Sequence, residues 1–437
     1  MLRGQHWAVQ HRRIPSLLAR SARSAETAPW LGGLRVAVDR LTGRNADKMT
    51  RVNPSGLPSQ RHLFDIPDDV AYLNCAYMGP LLRTALEAGE RGVRAKARPW
   101  GIGPDDFFRD GERARDLFAR VIGADSEGVA LVPSASYGLS CAARNVRLAP
   151  GDRIIVLADQ FPSNVYAWRE AARSSGASLV TTARPADEDW THAVLAAVDE
   201  RTAVVALPHC HWTDGGLLNL NRIGARCREV GAALVLDLTQ SAGALQFDTT
   251  EVKPDYIVCA GYKWLLGPYS LGFLWVAPAH RDGKPIEYNW SVRAGAEDFA
   301  RLVSYRDEYR PGARRFDVGE NANFVLLPML NAALEQILEW GVAAIEETLA
   351  LRTARIAERA AGLGFRAPPE AARAGHFLGL RFPDGEPPDG LAAEFAAERV
   401  YVSVRGSSIR VTPHLYNTDA DVERFLDVLG EAVHAKR

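Results

Sequence analysis

The chain has 437 residues, 47% apolar and 24% charged, enough to bury a large core over two to three domains. Lysine plus arginine number 52 and acids 53, a net charge of −1, so no global field favours nucleic acid or an anionic membrane. No apolar run reaches the roughly 18 to 20 residues of a membrane span, and five scattered cysteines without a CxxC pair suit free thiols in a reducing cytoplasm.

Residues 1–48 carry nine basic residues against the three acids Glu26, Asp39 and Asp47. An Arg-rich, acid-poor stretch is read as a transit peptide, as a disordered extension, or as an upstream start ahead of Met49; residues 1–55 are expected to be disordered and outside the fold. From about residue 128 short apolar runs follow one another: "GVALVP", "DRIIVLA", "ASLVTTA", "TAVVALP", "AALVLDL" and "DYIVCA". Helical patterns separate most of them, at 163–175, 189–199 and 221–230. Runs of this kind alternating with helices predict an α/β architecture with a parallel sheet covered on both faces. Ligands of such sheets sit at the carboxyl ends of the strands. Beyond residue 325 the pattern predicts long helices, then a smaller strand-and-helix unit.

Strand ends therefore carry the search for function. "VPSASYGLSCAARN" ends a strand and opens a helix with Ser134, Ala135 and Ser136. Free N–H groups and small hydroxyl side chains there make either a phosphate cradle or a plain capped helix. No GxxxxGK[ST] loop and no strand-linked GxGxxG is present. "LVLDLTQSAGAL" puts Asp237 directly after an apolar strand, where a carboxylate needs a cation, a cap or an ion pair. "GYKWLLGPYSLGFLWV" puts Lys263 amid apolar surface, where an amine is costly unless paired, neutral or chemically occupied. A committed lysine, a strand-end aspartate and a phosphate cradle on one sheet edge meet the needs of pyridoxal 5′-phosphate.

Together these segments resemble the class V aminotransferase family of fold-type I pyridoxal-phosphate enzymes, which includes cysteine desulfurases, kynureninase and isopenicillin N epimerase. The resemblance covers about residues 65–435. It implies a fold-type I transferase with a large, mainly parallel-sheet domain and a smaller α+β C-terminal domain. The ranges expected are 56–95 for an N-terminal segment packing with the small domain, 96–324 for the large cofactor-binding domain and 325–437 for the small one. "DLTQSAGA" resembles the family's Asp-x-x-His/Gln segment, implying Asp237 on the pyridine nitrogen and Gln240 near the ring hydroxyl or imine side. "AGYKW" implies Lys263 as the Schiff-base residue and Tyr262 as a phosphate ligand. "QFPSNVYAW" resembles the kynureninase-like ring-stacking segment, implying Phe161 over the ring. "SAS" falls where the family binds phosphate, with Ala135 replacing a hydroxyl residue and Ser136 carrying more of the task. "IRVTPHLYNTDADV" implies Arg410 on the substrate α-carboxylate. "RRFDVGENANF" resembles a segment near the family's dimer interface, implying a homodimer by analogy.

The resemblance implies an enzyme acting on an α-amino-acid substrate, most simply an aminotransferase, with a kynureninase-like Cβ-eliminating lyase or an epimerase as the alternative. "AAERVYVSVRGSSIRV" lacks the mobile cysteine of a desulfurase. "PHCHWTDGG" offers His209, Cys210, His211 and Asp214 to a rival metal-dependent hydrolase, but no second HxH and no HExxH supports it. No metal is therefore expected, and His211, Trp212 and Thr213 are expected to line the pocket. A catalytically silent homologue is the remaining rival. Neither nucleic acid nor membrane is expected as a partner, and the expected location is the cytoplasm.

Overall fold

In chain order the strands are β1 (Ala71–Tyr72), β2 (Val129–Val132), β3 (Arg153–Leu157), β4 (Ser178–Thr182), β5 (Thr202–Pro208), β6 (Ala233–Asp237), β7 (Tyr256–Ala260), β8 (Gly272–Val276), β9 (Leu378–Arg381), β10 (Val400–Tyr401), β11 (Ser403–Arg405) and β12 (Ser408–Val411). The computed structural model describes residues 56–382, 385–387 and 389–434; the extension expected over residues 1–55 lies outside the described residues. No described helix is long and apolar enough to cross a membrane.

Seven strands form the central sheet in the order β2-β8-β7-β6-β5-β3-β4. Only β8 runs against the others. Successive side chains of a strand point to opposite faces, so each apolar run feeds two cores. Leu207, Leu236, Ile257 and Phe273 enter one. Their neighbours Ala206, Val235, Val258 and Leu274 enter the other. A sheet buried on both faces accounts for the near-continuous apolar runs in the sequence.

The intervening helices are Ser163–Ser175, Trp190–Ala197 and Leu220–Val230, within a residue or two of their expected limits. The C-terminal helical stretch is split at Gly341 into Leu326–Trp340 and Val342–Gly362. A third core gathers Ala71 and Leu73 with Ile356, Leu380, Ile409 and Phe425. It carries the three-stranded antiparallel sheet β11-β12-β9 and the parallel pair β1-β10.

The segment around Asp317 is anchored to the start of the large sheet. Asp317 Oδ1 accepts from Arg115 Nη1 at 3.0 Å and from the Leu131 N–H at 2.8 Å, and Asn321 Nδ2 donates to Oδ2 at 3.0 Å. Parallel strands put the ends of β2, β3, β5, β6 and β7 on one edge of the sheet. That edge builds the site.

Candidate active site

After β7 the chain turns through residues 261–271 before reversing into β8. Gly261 N–H donates to Leu271 O at 2.8 Å and Gly267 N–H to Gly261 O at 2.9 Å, closing the turn on itself. Leu266 and Ser270 hold positive φ of 52° and 69° within it, conformations that persist only where the surroundings enforce them. The N-terminal segment adds a restraint at the start of the turn. Gly79 N–H donates to Tyr262 O at 2.9 Å, and the Cys75 thiol donates to Lys263 O at 3.7 Å. A Cβ on Gly79 would stand 2.2 Å from Lys263 O, so this approach is open only to glycine. The backbone is thus held at two successive carbonyls, those of Tyr262 and Lys263.

The Lys263 side chain enters a cavity of about 180 Å³ whose walls include Ala135, Ser136, Phe161, Asp237, Gln240 and Tyr262. Lys263 is 6% exposed. Its Nζ lies 5.3 Å from the Phe161 ring centroid and 5.6 Å from that of Tyr262. It forms no ion pair among the described residues. Burial and then the Arg410 charge push its pKa down to about 8, with Asp237 opposing. A predicted consequence is that apo-protein takes up pyridoxal phosphate faster as pH rises, with a midpoint near 8, because only the neutral amine attacks a carbonyl. Stopped-flow absorbance across pH 6 to 11 checks this; a midpoint near the ordinary lysine value of about 10.4 would contradict it.

Asp237 ends β6, between Pro208 of β5 and Val258 of β7. Its Oδ1 accepts from the Thr239 N–H at 3.0 Å, and Thr239 Oγ1 in turn accepts from the Ala260 N–H at 3.0 Å. Burial pushes the carboxyl pKa up, while Thr239 and the Lys263 charge pull against it. No cation pairs with Asp237 among the described residues. A buried carboxylate in that state is costly, and a bound cationic nitrogen would relieve it.

At the end of β2, Ser134 caps helix Ala135–Asn145, its Oγ accepting from the Tyr137 N–H at 3.2 Å. The N–H groups of Ala135 and Ser136 precede the first helical acceptors and face no partner among the described residues. Ser136 Oγ lies 2.9 Å from Ser134 Oγ. Two free amides and a hydroxyl at a helix start are matched to a phosphate. Phe161 meets Trp212 edge to face, with centroids 5.5 Å apart.

Gln240 lines the cavity with most of its amide committed: Oε1 accepts from Trp264 Nε1 at 3.0 Å and Nε2 donates to Ala76 O at 3.2 Å. Arg410, on β12, is not in the wall of this cavity, but stands near enough for its charge to act on Lys263. It is 2% exposed, donates from Nη1 to Trp212 O at 3.1 Å, and has no acidic partner among the described residues. Burial and then the Arg405 charge lower its pKa to about 9.

Of the loop 208–216, only Pro208 and Trp212 face this cavity. His211, expected in the lining, instead stacks on Trp190 at 5.2 Å and 4°, with Nε2 against Ala158 O at 3.0 Å. Thr213 belongs to a neighbouring cavity. Residues 212–214 form a turn closed by the Gly215 N–H on His211 O at 2.8 Å, and the His211 and Thr213 side chains meet each other at 2.7 Å, so both face away from the cavity that Trp212 lines. His209 packs against Phe247 and Asp214 pairs with Arg184 at 2.6 Å. No group of three His, Cys, Asp or Glu among the described residues is placed to hold a metal.

Tyr269, Ser270 and Leu271 also line the wall, singled out by no sequence motif. The Gly267-Pro268 turn signal before an apolar strand was the available cue, since it forces the chain back over the site.

The aminotransferase class-V model matches residues 105–425. The chain belongs to that family. It is a pyridoxal-phosphate-dependent enzyme with the α/β fold of this family. Among class-V relatives, it is 30% identical to a kynureninase of Deinococcus radiodurans over 302 residues, 67% of this chain and 71% of that one. It is 27% identical to an isopenicillin N epimerase of Streptomyces clavuligerus over 379 residues, 82% of this chain and 94% of that one. A cysteine desulfurase from Thermococcus onnurineus NA1 shares the fold at a TM-score of 0.75 and 19% identity, over 87% of this chain and 100% of that one.

Proposed function

We propose that this class-V enzyme acts on an α-amino acid, most simply as an aminotransferase, with Lys263 as the residue bound to the cofactor aldehyde carbon. The observation that carries the reading is the pairing of two buried, uncompensated groups, Lys263 and Asp237, in one 180 Å³ cavity beside two free helix amides. When bound, pyridoxal phosphate supplies an electron sink for the electrons left at the substrate Cα. Lys263 moves a proton at that carbon once displaced, and Asp237 keeps the ring nitrogen protonated. Ala135 and Ser136 hold the phosphate, with Tyr262 of the same cavity as a further phosphate ligand. Phe161 covers the ring, and the uncommitted hydrogen of Gln240 serves its hydroxyl. The large domain takes residues 96–324 and the small one 325–437, with 56–95 packing against the latter.

A Cβ-eliminating lyase is the second reading, favoured by the Phe161–Trp212 edge-to-face pair over the cavity, which suits an aromatic leaving group. A screen of amino acids with and without an oxo-acid acceptor separates the two: amino-group transfer needs the acceptor, elimination does not. A protein with no visible band and no response to any amino acid would refute both. The homodimer is proposed from the resemblance of residues 314–324 to the family's interface segment, and the exposed Tyr269, Tyr288 and Tyr305, at 62%, 66% and 97%, are side chains of the kind a second copy would cover. The five buried free cysteines support the cytoplasm as its location.

Arg410 is proposed to grip the α-carboxylate. Arg410→Lys keeps the charge but loses the forked pair of bonds. A charge-assisted hydrogen bond is worth roughly 1.5–3 kcal/mol, so kcat/KM falls by about ten- to hundredfold with the cofactor still attached. Unchanged kcat/KM in a folded, cofactor-loaded variant would rule the role out.

A further inference from the structure

A second cavity of about 530 Å³ lies beside the first, and Gln160 and Trp212 belong to the walls of both. Arg184, Arg381 and Arg405 also line it. Two of these are already compensated. Arg184 Nη1 lies 2.6 Å from Asp214 Oδ2, and Arg381 Nη2 lies 3.0 Å from the same oxygen and 3.0 Å from Glu188 Oε2. Arg405 has no acidic partner among the described residues. Its Nη1 donates to Val404 O at 2.7 Å, and its guanidinium carbon stands 6.0 Å from the Trp212 ring centroid. Asp159, in the same wall, is exposed and forms no ion pair with it.

The β11–β12 hairpin sets the aim of this side chain. Ser403 pairs with Arg410, and Arg405 with Ser408. Cross-strand partners share a face, as do residues two apart on one strand. Arg405 and Arg410 therefore stand on one face as diagonal neighbours, roughly 7–8 Å apart at the backbone. Both reach Trp212, Arg410 at its carbonyl and Arg405 at its ring. Arg410 is the deep member and Arg405 the partly exposed one. A substrate with a single carboxylate would neutralise one guanidinium and leave the other beside it without a counter-charge.

We propose that Arg405 recognises a second carboxylate on the substrate side chain, so that the enzyme takes dicarboxylic amino acids, with Arg410 on the α-carboxylate and the distal carboxylate in the 530 Å³ cavity. Trp212, whose carbonyl meets Arg410 and whose ring meets Arg405, belongs to the walls of both cavities. The inference rests on the amino-acid reading given above for Lys263 and Arg410.

Calorimetric titration of the holoenzyme with succinate, glutarate and adipate against butyrate tests it without turnover. At least one diacid binds wild type about tenfold or more tighter than butyrate. In Arg405→Met that advantage shrinks to about twofold or less while butyrate affinity is unchanged, and Arg405→Lys restores part of it. Arg410→Met loses butyrate binding instead. Diacids binding no better than butyrate, or a preference that survives Arg405→Met, would overturn the assignment of Arg405 while leaving the amino-acid reading standing. A holoenzyme that binds none of the four acids and shows no spectral response to any amino acid would remove the amino-acid reading and this inference together.

Discussion

In a Lys263→Ala protein the visible band of the lysine-bound cofactor disappears, and borohydride reduction followed by proteolysis yields no labelled peptide. Turnover falls by at least about 10²–10⁴-fold, the range for loss of a positioned general base. In the proposed function the covalent anchor and the proton carrier are the same nitrogen, so one substitution removes both. No other described lysine is placed to substitute: Lys96, Lys253 and Lys284 are all exposed and none lines the cavity. The variant should fold normally. At neutral pH the buried amine, its pKa held near 8, is an electrostatic cost to the folded state, which offsets part of the packing lost with its methylenes. Circular dichroism and thermal melts of the apo-protein check the fold. A labelled lysine elsewhere, or a retained band, would remove Lys263 from its role.

The large sheet was legible because burial on both faces leaves a run of β-branched and apolar residues with no polar alternation, as in "RIIVL" and "YIVCA". The cavity followed from the strand ends: Asp237 and Lys263 announce themselves because a charge after an apolar run must have a purpose. Three features were hidden. The commitment of Gln240 to Trp264 and Ala76 depends on contacts made across 24 and 164 positions, beyond any local pattern. The turning of His211 onto Trp190 depends on the phase of an irregular loop, which sequence periodicity does not set. The requirement for glycine at position 79 comes from the backbone of residue 263, so it is invisible until the two segments are placed together. Arg405 was present in a quoted stretch but unremarkable there; only the hairpin register with Arg410 gives it a direction.

Asp237→Asn should lower turnover by more than about tenfold, at least roughly 1.4 kcal/mol in barrier, while leaving the cofactor bound to Lys263. Asparagine keeps an oxygen for the Thr239 N–H at the end of β6, so the local backbone has no reason to move. What it cannot do is hold a proton on a ring nitrogen by ion pairing in a poorly solvated site. The apo-protein gives an independent sign. Burial raises the Asp237 pKa in the folded state, so the stability it contributes is present below the unfolded carboxylate value of about 3.9 and lost as pH rises through the folded value. At pH 7, well above the unfolded value, the raised pKa therefore burdens the empty fold, and Asp237→Asn apo-protein should melt at or above the parent temperature. The holo-form should lose that advantage, because the parent carboxylate there has its counter-charge. A purely structural aspartate gives the opposite pattern: a lower apo melting temperature with turnover preserved in whatever stays folded. Turnover within about tenfold of the parent, in a variant carrying a full complement of cofactor, would show that the ring nitrogen does not depend on this carboxylate.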